Sequence, residues 1–351
     1  MIAGSEVSDE WRIASVLLSF LLAWLTYRYV EKKLRFHPRK NMPKLLLAAG
    51  SSISLLAAAA YYEKGWPERF EFTRARQIQS SIWNNTPDCT KQFGWKHDYC
   101  QYFSSGDSKR WVLFLGDSHA HALAKAFPES ENIGLAPNTG LLALGKAGCP
   151  GWRWAHLSDR GCPSFEEMST QATKDRSGQI IILVDRYSMY YEGNGFGVGT
   201  ARSLLSFRPP NQTPVTGNKA AFVAALRATL DAWRVQGKKV IFVHQVPELG
   251  FKPMSKGRPL GTYFSNKSTE RTIPRAMVEA RQRGYRQAVT EILKDYPEVW
   301  VFDPMDDLCD AKHCYAIKDG ESLYYDDNHV NYLGSRFLLK RLIPFLQKNH
   351  R

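Results

Sequence analysis

Two uncharged runs near the start of the chain constrain it most. Ile13 to Tyr27 (IASVLLSFLLAWLTY) and Leu45 to Tyr62 (LLLAAGSSISLLAAAAYY) contain no Asp, Glu, Lys or Arg. At about 1.5 Å per helical residue, each roughly reaches across the hydrocarbon core of a bilayer. Between them lies a basic loop, Glu31 to Lys40 (EKKLRFHPRK). Short loops rich in Lys and Arg stay cytoplasmic, so the pattern predicts two transmembrane helices whose outer ends both face away from the cytoplasm. A cleaved signal peptide places its apolar stretch nearer the start and leaves the second run unexplained. The competing reading is a pair of buried core helices. The expected division is residues 1–43 for the first helix and basic loop, 44–62 for the second helix, 63–108 for a linker on the far side, and 109–351 for a globular domain.

Charge and cysteines fit that topology. Lys and Arg number 47 against 34 Asp and Glu, a net charge of +13 that favours anionic partners. Zinc-finger spacing, an aromatic-basic RNA-binding pattern and long basic blocks are all missing, so nucleic acid is not an expected partner. Part of the excess sits beside the apolar runs, and the charge reads as membrane and surface electrostatics. All six cysteines (Cys89, Cys100, Cys149, Cys162, Cys309, Cys314) lie beyond residue 62, on the expected outer side. An even count in an oxidising compartment suggests three disulfides, and pairing of sequence neighbours (89–100, 149–162, 309–314) closes three short loops. With no CxxC and no matching His spacing, no metal site is expected.

From Arg110 onward, strands alternate with helices. Trp111–Leu115, Gly140–Leu144, Gln179–Val184, Lys239–Val243 and Val299–Phe302 are short apolar runs of the kind covered on both sheet faces. Helical spacing follows at about His119–Phe127, Lys219–Val235, Pro274–Asp295 and Asn331–Gln347. The alternation predicts an α/β domain with a parallel sheet between two helical layers.

In such sheets, reactive residues collect in the loops after the strands. The loop after the first strong strand reads Gly116-Asp117-Ser118-His119. A serine at a strand-to-helix turn exposes its hydroxyl, and the backbone N–H groups there suit developing negative charge. Just before the last helix comes Asp326-Asp327-Asn328-His329. An Asp three residues before a His reaches the imidazole Nδ1–H within one turn, which turns the other ring nitrogen toward a serine as general base. Each string alone also reads as ordinary helix capping. Together, at opposite ends of one α/β unit, they predict a Ser118–His329–Asp326 triad. Asp327, only two positions from His329, is the alternative acid.

These paired strings resemble the SGNH (GDSL-like) hydrolase superfamily, which implies a flavodoxin-like three-layer α/β/α fold. More narrowly, Gly116–His119, Gly148-Cys149-Pro150, Leu183–Tyr187 and the terminal DxxH resemble the SGNH domain fused to acyltransferase-3 membrane proteins. Tyr27–Arg35 resembles the end of an acyltransferase-3 region. The resemblance implies O-acetylation of a bacterial surface polysaccharide of the lipopolysaccharide O-antigen type. It places the chain in the inner membrane, with its catalytic domain in the periplasm. The implied partners are an acyltransferase-3 transmembrane domain and a lipid-linked or surface glycan. No bound cofactor is implied; acetyl-CoA is the ultimate donor, used by the membrane domain. The same triad with water as acceptor would make a carbohydrate acetylesterase. By the resemblance, Ser118 is the nucleophile, His329 the base and Asp326 the orienting acid. The oxyanion donors are the Ser118 amide and Gly148. The superfamily's third-block Asn is missing, and Arg186 stands in its place, either as a donor or as a surface ion pair. Trp152 and Tyr187, with Trp154 and Tyr190, are candidates for stacking on sugar rings.

Overall fold

The computed structural model describes residues 9–32, 36, 41–63, 89, 91, 99–103, 108, 110–127, 139–157, 162–174, 179–197, 203–251, 253, 271–319 and 321–349. The chain divides into two compact units, Met1–Gln77 with Ser255–Gly257, and Ile78–Met254 with Arg258–Arg351.

In the first unit, helix α1 spans Asp9–Thr26 and runs into a π-helical turn, Tyr27–Glu31, and α2 spans Met42–Tyr62. Among the described residues, no helix is long and apolar enough to cross a membrane. The expected pair of spans is therefore unconfirmed. Asp9, Glu10 and Arg12 occupy the first turn of α1, leaving an apolar stretch well short of a hydrocarbon core about 30 Å thick. In α2 the run Leu45–Tyr62 carries no charged residue. Both helices still present apolar side chains outward: Ile13, Leu17, Phe20, Trp24, Ile53 and Leu55 are all more than half exposed. Most of the expected basic loop lies outside the described residues.

The second unit is built on a six-stranded sheet in the order β1-β3-β2-β5-β8-β10. Its strands are β1 (Tyr99–Phe103), β2 (Arg110–Gly116), β3 (Thr139–Gly145), β5 (Ile180–Val184), β8 (Lys239–Val243) and β10 (Trp300–Phe302). Two three-stranded sheets flank it: β4 (Ala155–Leu157), β6 (Leu205–Phe207) and β7 (Val215–Thr216) form one, and β9 (Arg271–Pro274), β11 (His313–Lys318) and β12 (Glu321–Ser322) the other. The helices are α3 (Ser118–Ala124), α4 (Cys162–Lys174), α5 (Tyr187–Glu192), α6 (Asn218–Val235), α7 (Arg275–Leu293), α8 (Met305–Leu308) and α9 (Tyr332–Asn349).

The period-2 geometry of strands sorts the central runs onto two faces. Leu113, Leu115, Ile181, Leu183 and Phe242 pack with Phe222, Leu226 and Leu230 of α6. Val112, Phe114, Ile180, Ile182 and Ile241 pack with Leu123 of α3 and Leu338, Leu339 and Leu342 of α9. The expected three-layer α/β/α sandwich is therefore present, with one correction. The sheet is mixed, because β1 runs antiparallel to β3 while the other pairs are parallel. The added strand comes from the segment read as linker. Most of residues 63–108 lies outside the described set.

Three disulfides join Cys89–Cys100, Cys149–Cys162 and Cys309–Cys314, as the spacing suggested.

Candidate active site

Strand β2 ends at Gly116, where its backbone comes so close to β5 that a Cβ would lie 1.8 Å from the Val184 carbonyl oxygen. Only glycine allows the turn there. Asp117 follows as N-cap of α3, its carboxylate accepting the His119 amide at 2.8 Å. Ser118 is the first helical residue and is nearly buried, at 9% exposure.

The second string arrives from the far end of the sequence. Tyr324 bridges to Val330, and the Tyr325 amide donates to the His329 carbonyl at 2.8 Å, closing a short loop before α9. Within it, the Asp326 carboxylate accepts the backbone amides of Asn328 (2.9 Å) and His329 (2.7 Å). Its other oxygen lies 2.8 Å from His329 Nδ1. His329 Nε2 lies 2.7 Å from Ser118 Oγ. Burial pushes the Asp326 carboxyl up, but the hydrogen bonds and charge of His329 outweigh it and hold Asp326 well below the ordinary range. An ionised Asp326 keeps the proton on Nδ1 and leaves Nε2 as the acceptor facing the serine. Asp327 instead accepts the Asn328 side-chain amide at 2.7 Å, so Asp326 is the acid placed on the imidazole.

Three further contacts support the loop. The His119 ring stacks at a tilt on His329, with centroids 4.6 Å apart, and its Nε2 lies 3.0 Å from Asn328 Oδ1. Desolvation holds His119 well below the usual imidazole value, so it is neutral and donates that bond. The Leu249 amide donates to the Asp327 carbonyl at 2.7 Å and ties in the segment after β8.

Gly148 is buried, with φ +68°, in the turn that follows β3, and Lys146 of that turn donates its amide to the Gly116 carbonyl at 3.3 Å. The Gly148 turn thus lies against the serine turn. Among the described residues, neither the Ser118 nor the Gly148 amide has a hydrogen-bond partner. Both are free to donate to a negative oxygen.

Arg186 fits neither expected role. Its Nε lies 2.6 Å and its Nη2 2.5 Å from Glu248 Oε1, and Glu248 also accepts from Arg281 Nε at 2.7 Å. The Glu248 side chain is 1% exposed. The guanidinium is therefore committed to a buried carboxylate and forms no surface pair. Burial alone would lower its pKa, but Glu248 raises it, so Arg186 stays charged.

Trp152 and Tyr187 are corrected as well. They are 2% and 0% exposed, and with Phe222 they form an aromatic core cluster. Tyr187 spends its hydroxyl on the Leu183 carbonyl and Tyr190 on Asp117. No sugar ring reaches them. The exposed aromatic beside the triad is Tyr325, at 42%. Its doubled Tyr-Tyr setting gave no sign of which ring is inside. Asn328, Glu248 and Asp185 also escaped notice, because each gains its role only through a partner distant in sequence.

His121 and His244 are buried too. Desolvation lowers them to about 3 and about 4. The unfolded chain takes up protons at these imidazoles below about pH 6.5, whereas the folded chain does so only near those lower values. Their stabilising contribution is thus complete above pH 6.5 and is lost as the pH falls toward 4. Each should add about 1.4 kcal/mol per pH unit to the slope in that window. Unfolding free energies followed from pH 7 to pH 4.5 check this: a flat profile rules it out, and His244→Gln should flatten the slope. Among the described residues, no group of three or more His, Cys, Asp or Glu is placed to hold a metal ion.

Among curated proteins, no sequence match is found. Among solved structures, the chain is similar to the periplasmic domain of a Salmonella ser. Paratyphi A lipopolysaccharide acetyltransferase, with 14% identity, 69% of this chain and 85% of that one covered, and a TM-score of 0.49. It is also similar to a Bacteroides fragilis protein assigned as an acylhydrolase (12% identity, 71% and 91% covered, TM-score 0.37). A third similar structure is an acetyl xylan esterase (12% identity, 68% and 99% covered, TM-score 0.39). Residues 86–344 match the family described as the SGNH domain fused to AT3 domains, and the chain belongs to that family.

Proposed function

We propose that this chain is an O-acetyltransferase that passes an acetyl group, through Ser118, to a hydroxyl of a bacterial surface glycan of the lipopolysaccharide O-antigen type. The observation that carries this reading is the continuous relay from Ser118 Oγ through His329 to Asp326, with contacts of 2.7 and 2.8 Å. Ser118 Oγ attacks the acetyl carbonyl carbon while its proton passes to His329 Nε2. The carbonyl oxygen becomes negative and is met by the free Ser118 and Gly148 amides. Collapse expels the donor's leaving oxygen, which takes the proton from His329, and leaves acetyl-Ser118. A sugar hydroxyl then attacks the ester and gives its proton to His329. The second collapse returns that proton to Ser118 Oγ and releases the O-acetyl sugar. These steps use only side chains and backbone of this chain.

The family is one whose SGNH domains are fused to AT3 domains, so the proposed donor is an acyltransferase-3 membrane domain that draws acetyl from cytoplasmic acetyl-CoA. Apolar side chains exposed around α1 and α2 fit helices held against such a domain and its lipid, since a helix that is apolar all round is buried in protein or membrane. Three disulfides suit an oxidising compartment, which supports an inner-membrane protein with its SGNH unit in the periplasm. Tyr325, exposed and next to Asp326 in the sequence, is the ring we assign to the acceptor sugar.

A time course with an acetyl ester, run with and without acceptor polysaccharide, tests the reading. Acetyl transfer to the polysaccharide that disappears in Ser118→Ala is the expected result. Ser118-dependent acetate release that ignores the polysaccharide would instead make the chain an acetylesterase, the second reading compatible with the same relay.

A further inference from the structure

We infer that Asp185 is a positioning residue for acyl transfer, its carboxyl oxygen tying the turn that carries Ser118 to the turn that carries Gly148. The inference rests on the serine acyl-transfer reading of the site. Asp185 follows β5 and is wholly buried. Its Oδ1 accepts the Asp117 amide at 2.8 Å and the Gly151 amide at 3.2 Å. Asp117 immediately precedes the nucleophile, and Gly151 lies three residues beyond Gly148. One oxygen atom thus sets the spacing of the two segments whose free amides face the developing charge.

The tie is reciprocal. Asp117 Oδ2 accepts the Arg186 amide at 2.9 Å and the Tyr190 hydroxyl at 2.7 Å. Each turn therefore holds the backbone of the other through a carboxyl group. The turns lie close together: a Cβ on Gly116 would lie 2.9 Å from Asp185 Oδ1, and one on Gly151 would lie 3.1 Å from the Gly116 backbone.

Two buried carboxyls this close do not both ionise. Asp117 accepts three donors, which favours its charged form. Desolvation followed by the Asp117 charge raises the Asp185 pKa well above the ordinary value, and the backbone amides of Asp117 and Gly151 and the Trp152 side chain offset this only in part. Burial thus pushes Asp185 toward its neutral form, and what it supplies is an acceptor oxygen at a fixed place rather than a charge. That separates Asp185 from a member of the proton relay and makes a neutral amide its functional equivalent.

The test is steady-state hydrolysis of 4-nitrophenyl acetate by the full chain, compared with Ser118→Ala, Asp185→Asn and Asp185→Ala. Asp185→Asn keeps the acceptor oxygen and should retain kcat within about threefold of wild type. Asp185→Ala should lower kcat by about tenfold to a hundredfold, with KM within about threefold, because the loss falls on the transition state. The same factor should slow labelling of Ser118 by a fluorophosphonate, whose phosphoryl oxygen enters the same donor pair. Should Asp185→Ala fail to fold, Asp185→Ser, too short to reach both amides, takes its place. An undiminished kcat in the shortened variant overturns the inference, as does an Asn variant that falls as far as the Ala variant. Undiminished turnover by Ser118→Ala would instead remove the serine reading itself, and so marks the failure of the wider proposal separately.

Discussion

Ser118→Ala and, separately, His329→Ala are each expected to remove at least about three orders of magnitude of ester turnover. The size follows from how a relay works. The serine hydroxyl is a weak nucleophile until a base accepts its proton, and the base does so only in the tautomer that Asp326 imposes. Members of such a unit fail together, so either single change should cost nearly as much as both. The contacts on which this depends are 2.7 Å between Ser118 and His329 and 2.8 Å between His329 and Asp326. Asp326→Asn should give a smaller yet still large loss, because an amide can present its N–H to Nδ1 and favour the wrong tautomer. Asp327→Asn should change turnover by no more than a few-fold, since that carboxylate bonds Asn328 and not the imidazole. Turnover by Ser118→Ala within tenfold of wild type would falsify the serine reading.

The second large effect is on stability. Glu248→Gln should destabilise the SGNH unit by about 3–5 kcal/mol. Removing one partner of a buried ion pair leaves the rest desolvated and uncompensated. Here two guanidinium groups, Arg186 and Arg281, share the one carboxylate. A unit of this size loses about 2–4 °C of thermal midpoint per kcal/mol, so a fall of roughly 10 °C is the expected reading. Arg186→Ala should also destabilise, but less, because Arg281 still neutralises Glu248 and is itself anchored to Asn194. Turnover per folded molecule should stay within about threefold in both variants. A hundredfold fall in turnover of Arg186→Ala with an unchanged midpoint would show that the guanidinium serves the oxyanion after all.

What the sequence disclosed and what it hid divide along physical lines. Strands β2, β5 and β8 are apolar on both faces, and a run such as Ile180–Val184 has few other places to go. The acid and base of the triad lie within one turn, so their meeting is a local matter that spacing alone predicts. The edge strand β1 reads YCQYF and is only partly buried; half-polar, beside a segment rich in turn residues, it carries no buried-strand signal. Its pairing with β3 spans some forty residues, which no local pattern encodes. Aromatic burial is likewise a property of the assembled core. Trp152 sits in a string with glycines and a proline, which suggests a surface loop, and Tyr187 follows the end of a strand, yet α6 brings Phe222 over both. The role of Arg186 was hidden for the same reason: Glu248 lies 62 positions away, beyond two helices and three strands.

The Cys149–Cys162 bond has a consequence for when and where the protein can act. Cys149 adjoins Gly148, and the bond fastens that turn to the first residue of α4, with Cα atoms 5.4 Å apart. The amide proposed to receive the negative oxygen is thus held in place by a link that a thiol-rich cytosol keeps open. Under reducing conditions the turn would lose that fastening while the Ser118–His329–Asp326 contacts remain, so the site is expected to act at full rate only with the Cys149–Cys162 bond closed.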